Sequence, residues 1–71
     1  MDLSNYTQPQ LDKLTRMLNL TGEELEIFKL LSKKKSIYAI SVYTSLSEST
    51  VSRRIRTIKG KMQKLKEDGE I

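Results

Sequence analysis

Between residues 48 and 66, Val51, Ile55, Ile58, Met62 and Leu65 recur at spacings of 4, 3, 4 and 3. That spacing brings all five side chains onto one side of an α-helix. A chain with so long an amphipathic helix must fold so that other elements cover the stripe. Ser47 suits the N-cap, Glu48 puts a negative charge in the first turn, and Leu46 with Val51 has the spacing of a hydrophobic staple. Gly60 lies inside the pattern and costs about 1 kcal/mol relative to alanine. The stripe resumes after it, so the helix is expected to continue to about Lys66, with a bend or fraying allowed at Gly60.

The segments that must cover the stripe also read as helices, and no run of alternating β-branched residues is present. Pro9 fits the first turn of a helix capped by Gln8 or by Thr7, the latter with Gln10 as capping-box partner. Leu11, Leu14 and Leu18 share one face of it, with Met17 beside them, and Asn19 is a suitable end. A second capping box, Thr21 with Glu24, carries a Leu20–Leu25 staple and starts a helix whose buried side is Ile27, Phe28, Leu30 and Leu31. It runs out in Ser32, Lys33, Lys34 and Lys35, cations that suit a helix C-terminus. Ser36 can cap a short helix over 37–44 with Ile37, Ile40, Ser41 and Thr44 on one face. Its β-branched and aromatic residues are weak helix formers, so tertiary packing must hold it. Residues 45–47 are then a turn. The fold expected is all-α: four helices, with a flexible terminus at 1–6, an N-terminal helix at 7–19, a core at 20–66 and an acidic tail at 67–71.

Composition excludes more than it specifies. With no cysteine and no histidine, the chain has no disulfide, no thiolate zinc site and no histidine base. No glycine-rich phosphate loop or nucleophile–base pair is present, and Glu23, Glu24 and Glu26 are explained as first-turn acids of a helix. We therefore expect no enzyme activity, no metal and no cofactor. No apolar run approaches the roughly 20 residues that span a bilayer, and the polar start does not resemble a signal peptide, so a cytoplasmic protein with no membrane partner is expected.

The net charge of +4 is unevenly placed. Residues 1–31 sum to −2, whereas 32–47 and 48–71 each sum to +3, and Glu67, Asp68 and Glu70 crowd the last five positions. The helix before them is thus strongly basic, which orients the field of the molecule. At about 100° per residue from Val51, Arg53 falls opposite the apolar stripe. Ser49, Arg56 and Gly60 flank it, Ser52 and Thr57 lie at the edges, and Arg54 is nearer the core boundary. Small hydroxyl residues allow close approach at the start of the helix. Arginine then offers a bidentate fork to guanine or to phosphate. A short helix, a three-residue turn and a second helix with an exposed cationic face are the ingredients of a helix-turn-helix.

These residues resemble the LuxR/GerE-type helix-turn-helix DNA-binding domain across residues 20–62, more than half of the chain. The similarity is carried by Leu20, Thr21, Glu24, Ile27 and Leu30, by Ser36 and Ile40, by Leu46 and Ser47, and by Ser49, Thr50, Val51, Ile55, Ile58, Lys61 and Met62, without a gap. The fourth region of sigma factors is similar in arrangement and is the near competitor. The resemblance implies a bacterial or phage protein whose Ser52, Arg53 and Arg56 face bases, and Ser49, on the same outward face, is added as a base-contact candidate. Ser47, Thr50 and Thr57 are then candidates for the phosphate backbone. Lys33, Lys34, Lys35 and Tyr43 are added as phosphate contacts on charge and position alone. Departures are Ser41 where the family has alanine, Thr44 where it has leucine and Lys34 where it has glycine. The family's helix after the recognition helix is also not matched, and an extra N-terminal helix precedes the match. That extra helix is expected to close the core or to mediate pairing, with Tyr38 and Val42 as a surface for it.

The function expected is a sequence-specific double-stranded DNA-binding transcriptional regulator, with helix 48–66 in the major groove. A homodimer is expected through the N-terminal helix or the end of the recognition helix. The alternative is a helix-turn-helix that binds RNA polymerase or another regulator through its basic helix. RNA ranks third, because the basic face carries no aromatic platform for unpaired bases.

Overall fold

The computed structural model describes Leu3, residues 6–20 and residues 22–69. These form four helices and, among the described residues, no strand: α1 Gln8–Met17, α2 Gly22–Ser32, α3 Ile37–Thr44 and α4 Glu48–Glu67. α1 begins at a complete capping box. The Thr7 hydroxyl accepts from the Gln10 N–H at 3.4 Å, while the Thr7 N–H donates to Gln10 Oε1 at 2.8 Å. This selects Thr7 over Gln8 as the cap. The Thr21–Glu24 box falls on Thr21, which lies outside the described residues, as do residues 70 and 71 of the acidic tail.

α1 and α2 both end in six-to-one turns. Leu20 N–H reaches Thr15 O at 3.2 Å with Asn19 left-handed (φ 55°), and Lys35 N–H reaches Leu30 O at 3.1 Å with Lys34 left-handed (φ 61°). Asn19 tolerates that conformation through its short polar side chain. Lys34 has no short polar side chain to offset the cost of that conformation.

α2 is the hub, packing against each of the other three helices, while α3 and α4 also pack on each other. Two buried neighbours, Ile27 and Phe28, and half-buried Leu30 and Leu31 give α2 an apolar arc wide enough to serve several partners. The core comprises Leu3, Leu11, Leu14, Leu18, Leu20, Ile27, Phe28, Ile40, Val51, Ile58 and Met62, and no polar or charged described residue is buried. α1 therefore closes the core over α2.

Three expectations change. Leu3, placed in a flexible terminus, is 4% exposed within the core, and Tyr6 packs against it with its N–H on Leu3 O at 3.2 Å. One leucine flanked by polar residues carries no periodic signal, so only the docking reveals it. Ile37 is 40% exposed, at the rim of α3 and not on its buried face. Ile40 alone is fully buried there, with Ser41 and Thr44 half-buried beside it. Both hydroxyls bond back onto their own helix, to Tyr38 O and Ile40 O at 2.7 Å, so neither is left unsatisfied. Finally, Tyr38 and Val42 are 68% and 62% exposed, and α1 does not cover them.

α4 is uninterrupted through Gly60 to Glu67, and its 20 residues extend for about 30 Å. Val51, Ile58 and Met62 are buried and Ile55 and Leu65 half-buried, as the 4-3-4-3 stripe requires. No helix among the described residues is long and apolar enough to cross a membrane.

Candidate nucleic-acid interface

The link from α3 to α4 sets the presentation of the basic helix. Ser45 takes a left-handed conformation (φ 59°) and ends α3; half-buried Leu46 anchors the turn to the core; Ser47 then caps α4. The Ser47 hydroxyl accepts from the Thr50 N–H at 3.1 Å and donates to Thr50 Oγ1 at 2.9 Å. Ser47 is therefore committed to the cap.

Beyond the cap, Ser49, Ser52, Arg53 and Arg56 are all exposed on α4, and their side chains make no hydrogen bond or ion pair among the described residues. The other cations of the helix divide differently. Arg54 Nη2 lies 3.1 Å from Glu23 Oε1, and Lys61 Nζ lies 3.1 Å from Glu24 Oε1. These pairs lock one flank of α4 to the first turn of α2, and the Lys61 pair is the less exposed of the two. The first-turn acids of α2 thus act across the fold as well as on their own helix. Arg54 is neutralised in place, whereas Arg53 and Arg56 keep an uncompensated charge aimed outward. Thr50, Arg53, Arg54 and Thr57 line a shallow concavity of about 300 Å³ on this side. The Thr57 hydroxyl is occupied, donating to Arg53 O at 3.2 Å.

Lys33, Lys34, Lys35 and Tyr43 form a separate exposed group at the corner between α2 and α3. Lys35 Nζ sits 6.0 Å from the centroid of the Tyr43 ring, the outer reach of a cation–π contact. Ile37, Tyr38, Val42 and Tyr43 make α3 the most apolar exposed element among the described residues.

A further group lies beyond the arginine-rich start of α4. Arg56, Lys59, Gly60, Met62, Gln63 and Lys66 line a groove of about 580 Å³ whose other wall is Tyr6. Arg56, Lys59, Gln63 and Lys66 recur at spacings of 3, 4 and 3, a row legible in the sequence once it is sought beside the apolar stripe. Tyr6 carries no such signal, because its approach to α4 depends on the seating of Leu3. Among the described residues, no group of acidic side chains is arranged to hold a metal ion. No protein-family model matches this chain, and neither a curated protein nor a solved structure matches it.

Proposed function

We propose that the chain is a sequence-specific double-stranded DNA-binding transcriptional regulator, in which α3, residues 45–47 and α4 act as a helix-turn-helix with α4 in the major groove. The observation that carries this reading is the division of cations on α4. Arg54 and Lys61 are spent on Glu23 and Glu24, while Arg53 and Arg56, behind the small Ser49 and Ser52, have no partner among the described residues. An exposed helix start with small side chains approaches base edges closely, and an unpaired arginine then donates two parallel hydrogen bonds to a guanine. The Thr50 hydroxyl hydrogen serves a phosphate, and Ser47 acts through the cap. A single module of this size reads few base pairs, so two copies on two half-sites are expected.

Selection of bound duplexes from a random pool tests the reading, with stoichiometry taken from the enriched site. The expected result is a palindromic motif and a log–log salt slope near −4 to −5 for about five phosphate contacts. Arg53→Ala should lower discrimination between the selected and a random duplex by a factor on the order of 10, the worth of one base contact. Absence of duplex binding at low salt by the folded chain would refute it. A second reading, binding of the basic helix to an acidic surface of RNA polymerase or another regulator, draws on the same Arg53 and Arg56, which have no partner among the described residues. It predicts that the folded chain binds no duplex at low salt and that Arg53→Ala weakens binding to the protein partner.

A further inference from the structure

We infer that the groove between Tyr6 and the C-terminal half of α4 seats the phosphodiester backbone of one DNA strand, outside the base-reading part of the helix. This rests on the duplex-binding reading and extends it to Lys59, Gln63 and Lys66, which that reading does not use; Arg56 stands where the two parts of the helix meet.

α4 extends for about 30 Å, whereas the major groove is only about 12 Å wide and 8.5 Å deep. Only the first turns of a helix entering it reach base edges, so the remainder must lie along or beyond a groove wall, and that wall is a strand's phosphate backbone. On the helical wheel, Lys59, Gln63 and Lys66 fall at about 80°, 120° and 60° from Val51, on the flank between the buried stripe and the outward Arg53. That flank faces a wall when Arg53 faces the groove floor.

Its chemistry is one-sided. Arg56, Lys59 and Lys66 have no ion-pair partner among the described residues, and Gln63 between them is a neutral donor. The opposite flank has its Arg54 and Lys61 bound to α2. One side of α4 is thus tied to the fold and the other left cationic as far as Lys66, where the acidic Glu67 and Asp68 begin. The row from Arg56 to Lys66 covers about 15 Å of helix axis, long enough to pass more than one consecutive phosphate of a strand. Tyr6, held by the buried Leu3, makes the cationic row one side of a trough instead of an open face. Gly60 on its floor adds no side chain to obstruct it.

The test compares two double variants of equal charge change. Lys59→Gln with Lys66→Gln removes two cations from the groove; Lys13→Gln with Lys29→Gln removes two exposed cations on α1 and α2. All four positions are exposed, and melting curves by circular dichroism verify folding. For the groove variant, the salt slope on a selected duplex should become shallower by about 1.8, two phosphates at about 0.9 each. Affinity should fall equally on selected and random duplexes, and discrimination should be unchanged. The control pair should leave the slope nearly unaltered. Equal slope changes in the two variants, or none in the groove variant, overturn the groove while leaving duplex binding by α4 intact. A wild-type chain that binds no duplex overturns both.

Discussion

Replacing Gly60 by alanine should stabilise this protein by about 1 kcal/mol, and the size of the gain follows from what surrounds the residue. Gly60 is exposed, well inside α4, and a Cβ built on it meets no atom within 4 Å. The added methyl therefore gains no burial and suffers no clash. What remains is the intrinsic preference for alanine in a helix, most of which comes from the freedom that glycine restores to the unfolded chain. For a domain of 71 residues, that shifts the thermal midpoint upward by about 4–8 °C. Thermal melts and urea titrations followed by circular dichroism should agree, with the urea midpoint raised and the m-value unchanged. A midpoint that falls or does not move would refute the reasoning. It would mean that α4 bends or frays at Gly60, leaving Met62, Leu65 and the Lys61–Glu24 pair without the register that docks them.

Lys34→Gly should also stabilise, by about 1 kcal/mol, because Lys34 holds a left-handed conformation (φ 61°) that costs an L-residue about that much; the urea midpoint reports it. Leu3→Ala should destabilise by about 2 kcal/mol, near the lower end for a buried leucine, and a melt no different from wild type would put Leu3 outside the core. Arg54→Gln should cost less than about 1 kcal/mol of stability, since its pair with Glu23 is roughly half exposed. It should leave discrimination between selected and random duplexes intact, unlike Arg53→Ala.

Helix identity was legible in local pattern because capping and hydrophobic spacing act within a few residues. Ser36 and Ser47 cap α3 and α4, Asn19 turns left-handed after α1, and the 4-3-4-3 stripe faces the core. The poorest helix former, α3, was readable as a helix and less so in its burial. Ile37 looks equivalent to Ile40 on a wheel, but it lies at the open end of the helix and escapes the neighbours that enclose Ile40. For the candidate interface, the sequence showed which side of α4 the arginines occupy. It did not show which of them are spent, because the partners of Arg54 and Lys61 lie 31 and 37 residues away.

By itself, then, the sequence determined four helices, the Ser36 and Ser47 caps and the division of α4 into an apolar and a basic side, since each depends on interactions spanning at most a few turns. Tertiary structure alone decided that Leu3 enters the core, that α1 packs on α2 and leaves Tyr38 and Val42 uncovered, and that Glu23 and Glu24 neutralise one flank of α4. The physical reason is range. Local spacing fixes the direction of a side chain from its own helix, whereas charge compensation and burial depend on what the chain brings back against that helix from far along its length.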